Sequence, residues 1–169
     1  VEVKRPEIGV LIEVPAAVYQ ARLLAKEADF MAVGSNDLTQ YLLAVDRNNP
    51  RVADLYQEVH PAVISALREV ARAAHAEEKP LGICGELAGT PAGAILLMAM
   101  GYHVLSMNAT HLLRVKWVIR NIKRSDARRM LARVLRMDTA EEVTAFLHKD
   151  MVRLGLSKVM PARSTTQLH

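Results

Sequence analysis

The chain predicts an α/β fold of parallel strands, and three observations carry that expectation. Four short apolar runs, Ile8 to Val14, Phe30 to Val33, Leu81 to Cys84 and Val104 to Met107, each give way to a helical pattern. The first two runs are apolar enough to be covered on both faces, as strands of a parallel sheet are. Polar side chains with chemical capacity gather where the runs end, and in such folds the loops converge there. With 51% hydrophobic and 24% charged residues, the 169-residue chain can bury one sizeable core, so one domain is expected.

Taken in order, Glu13 interrupts the first run, and Pro15 suits the first position of a helix with Ala17, Ala21, Leu24 and Ala28 on one face. The second run ends at Gly34, where Ser35 and Asn36 supply turn chemistry. The connection from Leu38 to His60 is then unusually long. Loops between strands and helices commonly run about 2–6 residues, and much longer ones are commonly functional. It reads as a helical turn, Leu38 to Ala44, followed by a polar segment, Asp46 to Arg51, that would serve as a lid or ligand clamp. Pro61 opens a helix that turns Val63, Leu67, Val70 and Ala74 inward and Arg68, Glu69 and Arg72 outward.

Cys84 ends the third run between Gly82 and Gly85, with Glu86 just beyond, and Pro91 opens a near-continuously apolar helix to Gly101 that should pack deeply. A helix around Leu112 to Ile119 follows the fourth run. Ser125 is expected to cap a helix through Leu135, and Thr139 with Glu142 forms a capping box. Val143, Leu147, Met151 and Leu154 line one face of that last helix, and Gly155 fits its end. From Leu156 the polar tail should be mobile. Four βα units in a row fit half of an eight-stranded barrel or a small doubly wound sheet, and periodicity does not separate the two.

Composition excludes some classes. The single cysteine, Cys84, leaves no intramolecular disulfide framework, and with no signal-like start a reducing cytoplasm is the expected compartment. The longest apolar candidate, Ala92 to Met100, falls far short of the roughly 18 residues that span a bilayer. Nine Lys and Arg residues between His111 and Arg136 face one acid, Asp126. Such a cluster suits phosphate backbones or an acidic partner, but Trp117 is the one Phe, Tyr or Trp in that stretch that could stack, and a solvated helix face explains it as well.

Three strand ends carry the candidate chemistry: Glu13, then Asn36 and Asp37, then Cys84 with Glu86. A carboxylate inside a buried-strand pattern needs a partner. A cation shared by Glu13 and Asp37 would satisfy both, and Mg2+ suits one or two protein carboxylates with waters and substrate oxygens beside them. A neighbouring arginine paired with Glu13 is the alternative. Thr39 and Gln40 are read as fixing the turn after Asp37, and His60 and His75 as structural or solvent-facing.

The blocks GVLIEVPAA, DFMAVGSNDLTQYLLAVDRNNPRVADLY, HPAVI and GICGELAG resemble, in order and spacing, the phosphoenolpyruvate-binding domain of enzyme I of the bacterial phosphotransferase system, continuously from Ile8 to Ile122. Pyruvate phosphate dikinase and phosphoenolpyruvate synthase share similar blocks, but CGELAG is closer to enzyme I, and LGLSKVMPA resembles its nitrogen-regulatory paralogue. The resemblance implies the C-terminal half, strands five to eight, of a (β/α)8 TIM barrel over residues 1–122, a helical extension over 123–155 and a flexible tail over 156–169. It implies Mg2+ at Glu13 and Asp37, phosphoenolpyruvate at Asn36, Asp37 and Arg47, and proton donation to the enolate carbon by Cys84, which must stay a thiol until that carbanion forms.

Two departures stand out: Ser35 replaces a usual threonine, and Asn48 a usual glycine. The family's first four strands, with two substrate-holding arginines, and its phosphohistidine domain are absent, so the chain should be a fragment inactive alone. An HPr-type phosphocarrier would be reached through those missing domains. Half a barrel leaves strand edges and apolar side chains uncovered, so a homodimer is expected. A basic binding module is the rival reading.

Overall fold

The computed structural model describes residues 3–159. Its strands, β1 (Gly9–Ile12), β2 (Phe30–Gly34), β3 (Leu81–Cys84) and β4 (Val104–Ser106), pair in parallel in chain order. A doubly wound sheet reverses its strand order at a switch point. Here every strand adds to the same side, which is the winding of a barrel segment.

The register sets Ile12, Val33, Ile83 and Leu105 in one row across the sheet. The first three are buried beneath helices. On the opposite face Leu11, Phe30 and Val104 remain 47%, 39% and 57% exposed. Successive side chains point to opposite faces, so one face belongs to the helix layer and the other is the concave side of a half barrel.

Among the described residues the helices are α1 (Pro15–Tyr19), α2 (Ala21–Glu27), α3 (Ser35–Leu43), α4 (Pro61–Ala76), α5 (Glu86–Gly89), α6 (Pro91–Met100), α7 (Ala109–Asn121), α8 (Arg124–Val134) and α9 (Ala140–Arg153). The core is aliphatic and centred on α6, whose Ile95, Leu96 and Leu97 are fully buried. Each contributes roughly 1.5–3 kcal/mol relative to exposure. Thr90 caps α6 by accepting from Gly93 N at 3.0 Å, and Gly101, at φ 92°, ends it. In α4, Val63, Leu67, Val70 and Ala74 are buried as the periodicity predicts.

Several boundaries differ from expectation for local reasons. The helix after Pro15 breaks at Gln20 (φ −103°, ψ 7°), and the break rotates its inner face to Val18, Ala21, Ala25 and Ala28. Helix α3 starts at Ser35 rather than Leu38, so Asn36 and Asp37 occupy a first helical turn instead of a free turn. Asp37 is favoured there by the partial positive charge of the helix start. Helix α7 begins earlier than expected because Asn108 Oδ1 accepts from Thr110 N at 3.1 Å.

Ser125 lies inside the first turn of α8 and does not cap it. Thr139 does cap α9, accepting from Glu142 N at 3.2 Å, while Glu142 reaches back to Asp138 N rather than to Thr139. The tail is anchored where it begins: Leu156 is 1% exposed, and Ser157–Val159 form a 3-10 turn. The remainder of the tail expected to be mobile, 160–169, lies outside the described residues. No helix among the described residues is long and apolar enough to cross a membrane.

Candidate active site

The carboxyl ends of the strands form one rim. Gly34 pairs with Cys84 and Cys84 with Ser106, while Glu13 follows Ile12, the partner of Val33, and so stands beside Gly34. Strand alternation aims this row at the concave face. Gly34 has no β-carbon, and Oε2 of Glu13 lies 2.8 Å from where one would be. Asp37 follows three residues later in the first turn of α3. Among the described residues neither has an ion-pair partner within 4.0 Å, which removes the arginine alternative for Glu13 there.

Asn36 and Cys84 are tied together by the backbone of the third strand's loop. Ser35 Oγ donates to Cys84 O at 2.9 Å, and Glu86 N donates to Asn36 Oδ1 at 3.0 Å. Only an oxygen can accept from that N–H, so the Asn36 amide oxygen faces the protein and its NH2 is left as a donor toward the cleft. Gly85 sits between them at φ 123°, and a β-carbon on it would collide with Ser35 Oγ and Asn36 Oδ1. Cys84 is exposed, with its Sγ 3.5 Å from Val33 O.

Gln40, one turn along α3, joins the two expected ligand groups. Its Nε2 donates to Asp37 Oδ1 at 3.4 Å, and its Oε1 accepts from Arg47 N at 3.0 Å. The guanidinium of Arg47 reaches Glu86, with Nη1 3.8 Å from Oε1. The long connection thus folds back over the rim, stiffened by a 3-10 turn at Ala53–Leu55.

That connection also delivers two residues the sequence reading did not single out. Tyr56 donates its hydroxyl to Asn36 Oδ1 at 3.5 Å, and burial, then the charge of Glu58, pushes its pKa up to about 12. Burial first, and the neighbouring Glu86 second, push the Glu58 carboxyl from 4.5 up to about 7, against the pull of Arg47. The length of the connection was the available signal; nothing in the residue pattern marked Glu58.

A cleft of about 680 Å³ opens between the ends of β3 and β4, lined by Asn36, Glu58, Cys84, Glu86, Asn108 and His111 among others. Glu13, Asp37 and Arg47 are not among the residues that line it. The structure therefore joins Asn36, Cys84 and, through Glu86, Arg47, and it seats Glu13 against Gly34 with Asp37 in the helical turn that follows. Among the described residues no three Asp, Glu, His or Cys side chains converge as a ligand set. Glu13, seated against Gly34, and Asp37, in the helical turn that follows, are hard oxygen donors of the kind that suit a cation keeping water and substrate oxygens, as Mg2+ does.

Other candidates resolve as structural. His60 Nδ1 accepts from Ala62 N at 3.1 Å and so caps α4, while His103 Nδ1 accepts from Leu81 N at 3.3 Å. His75 is exposed, yet its ring packs edge-on to His103 and touches Gly101 O at 3.1 Å. The basic residues from Arg114 to Arg136 are all exposed. Within them, Arg129 pairs with Asp126 at 2.6 Å, and Arg133 lies 5.1 Å over the Phe146 ring.

Residues 2–124 match the family described as PEP-utilising enzyme, PEP-binding domain. The chain is 43% identical over 155 residues to the phosphoenolpyruvate-dependent phosphotransferase system protein of Escherichia coli, covering 92% of this chain and 21% of that one. It is 41% identical to the phosphoenolpyruvate-protein phosphotransferase of Haemophilus influenzae (89% and 26% covered) and 43% identical to a multiphosphoryl transfer protein of Xanthomonas campestris (85% and 17% covered). It spans about a quarter of their length at most.

Proposed function

The chain belongs to the PEP-utilising enzymes, as part of their PEP-binding domain, and from that premise we propose that it supplies the metal-binding and proton-donor half of a phosphoenolpyruvate site in a longer phosphoenolpyruvate-protein phosphotransferase. The observation that carries the reading is the rim itself: Glu13, Gly34 and Cys84 side by side on three adjacent strands, with Asp37 just beyond.

In the reaction, the bond between the phosphoryl phosphorus and the enol oxygen of phosphoenolpyruvate breaks, the phosphoryl group passes to a histidine in another domain, and pyruvate enolate remains. Transfer of this kind depends mainly on positioning and electrostatics. Glu13 and Asp37 would hold Mg2+, which neutralises charge on the phosphate and carboxylate oxygens. Arg47 offers a bidentate fork to phosphate, and the Asn36 NH2 donates to a substrate oxygen. Cys84, exposed at the cleft, gives its S–H proton to the enolate carbon, completing pyruvate, and regains a proton from solvent.

The remaining substrate contacts, the phosphohistidine and the HPr-type carrier it serves belong to parts of the protein beyond this chain. The open face with Leu11, Phe30 and Val104 favours association into a homodimer; a purified chain that sediments as a stable monomer would count against that.

The test is Mg2+-dependent protection of Cys84 from alkylation by phosphoenolpyruvate in the full-length protein. Protection should vanish in Glu13→Ala and Asp37→Ala. Cys84→Ala should still transfer phosphate but form pyruvate about 10²–10⁴-fold more slowly. Protection that ignores Mg2+ and both carboxylates would overturn the assignment.

A further inference from the structure

Two carboxyl groups at the mouth of the cleft compete for one cation. Glu86 Oε1 stands 3.8 Å from Arg47 Nη1, and Glu58 lines the same cleft as Glu86, which acts on it through its charge and through a side-chain hydrogen bond that two carboxyls make only by sharing a proton. Their surroundings differ. Glu86 is 70% exposed at its side chain, whereas Glu58 is half-buried between two cavities. One is the cleft that holds Cys84 and Asn36. The other, of about 330 Å³, is chiefly apolar and lined by Val59, Pro91, Leu147 and Met151 among others.

We propose that Glu58 and Glu86 form a proton-sharing pair that positions Arg47, so that the arginine is released toward an anionic substrate when the pair carries a proton and is drawn back when it does not. The pair is a positioning device, and neither carboxyl touches the reacting atoms. With one proton the pair bears a single negative charge, and its hold on Arg47 is weak at 3.8 Å. With none it bears two, which strengthens the grip on the guanidinium and repels a phosphate entering the cleft. Binding of an anion at Arg47 and uptake of a proton by Glu58 are therefore linked, each favouring the other.

The groups facing Glu58 agree with this. Arg47 and Tyr56 come from its own connection, Glu86 from α5, Cys84 and His111 lie across the cleft, and His148 of α9 lines the apolar cavity behind it. Arg47 is the cation that lowers the Glu58 pKa, and it is outweighed by burial and by Glu86, leaving the carboxyl to titrate at about 7. The change of state falls where small shifts in pH move it.

The inference rests on the phosphoenolpyruvate reading only for the identity of the anion, so its test is made first without substrate. In the chain labelled at its carboxyl and guanidinium groups, NMR across pH 5–9 should show Glu58 titrating near neutrality and the Arg47 Nε resonance moving with the same midpoint. Glu58→Gln should abolish the Arg47 titration, and Glu86→Gln should lower the Glu58 midpoint. An Arg47 resonance that is flat across this range, or unaltered in Glu58→Gln, overturns the proposal. In the full-length protein, phosphoenolpyruvate with Mg2+ should raise the Glu58 midpoint. If Arg47 co-titrates but the midpoint ignores phosphoenolpyruvate, the pair stands and the substrate assignment fails.

Discussion

Glu13 lies across Gly34 so closely that its Oε2 is 2.8 Å from the position of the missing β-carbon. The glycine is thus a seat for a carboxylate, which has no ion-pair partner within 4.0 Å among the described residues.

Gly34→Ala should therefore displace Glu13. The added methyl falls inside contact distance of both Oε2 and the Glu13 β-carbon, the latter at 3.1 Å. Overpacking of this kind costs about 1–3 kcal/mol. Gly82→Ala, one residue pair lower on the same face, is the control, because its methyl meets Val104 at an ordinary 3.5 Å. Urea unfolding should separate the two variants, and Mn2+ relaxation titration should detect weakened metal binding in Gly34→Ala alone. Equal metal affinity in both would show that Glu13 has no need of its seat.

Gly85→Ala should be more damaging. At φ 123° any side chain is strained, by roughly 1–3 kcal/mol, and here the new atom also strikes Ser35 and Asn36, the residues that join β2 to β3 at the rim. The expected result is a fall of about 2–4 kcal/mol in stability by urea unfolding. Cys84 should also alkylate faster as its loop loosens. Wild-type stability would mean that the loop relaxes freely.

Much of this arrangement was legible in the residues. Strand ends, Pro-initiated helices and the Gly34 and Cys84 positions follow from short-range rules, and the aliphatic period of α4 marks its buried face without ambiguity. What was not legible depends on contacts distant in sequence. Helix α3 could start at Ser35 because the strand enters it directly, which local turn chemistry masked. Tyr56 meets Asn36 across the irregular connection that follows α3, and Glu58 meets Glu86 across α4 and β3, and no periodicity encodes either meeting.

The raised Glu58 pKa carries a stability signature. An unfolded chain releases this proton near 4.5 and the folded one only near 7, so the folded state binds more protons between those values. Its contribution is complete below pH 4.5 and is lost as pH rises to about 7. For a half-buried group reached by solvent, a loss of roughly 1–2 kcal/mol is expected. Glu58→Gln should flatten that part of the stability profile measured by urea unfolding. An unchanged slope would place the carboxyl in water.

Asp150 makes the opposite case. It is 7% exposed and joins α9 to α8, accepting from Arg153 Nε at 2.7 Å and facing Arg129 Nη2 at 3.8 Å. The Arg153 hydrogen bond, more than any other cause, holds its pKa below the ordinary value of 3.8. Its stabilisation is present above that value and fades as pH falls through the folded pKa. Asp150→Asn should cost roughly 1–3 kcal/mol at neutral pH, and less in acid. A loss that is independent of pH would mean packing, not charge, joins the helices.

Tyr102 sets the alkaline limit. Its ring is buried and its hydroxyl donates to Leu67 O at 3.0 Å, tying the end of α6 to α4. Burial pushes its pKa far above the ordinary 10.0. An unfolded chain ionises this phenol as pH passes 10 while the folded one cannot, so the unfolded state binds fewer protons and stability falls by up to about 1.4 kcal/mol per pH unit. Tyr102→Phe keeps the ring and loses the hydrogen bond. It should cost about 1 kcal/mol at pH 7, yet decline less steeply between pH 10 and 11.5, so that the two stability curves converge in urea unfolding. Parallel curves would mean that the hydroxyl reaches water and ionises in the folded protein.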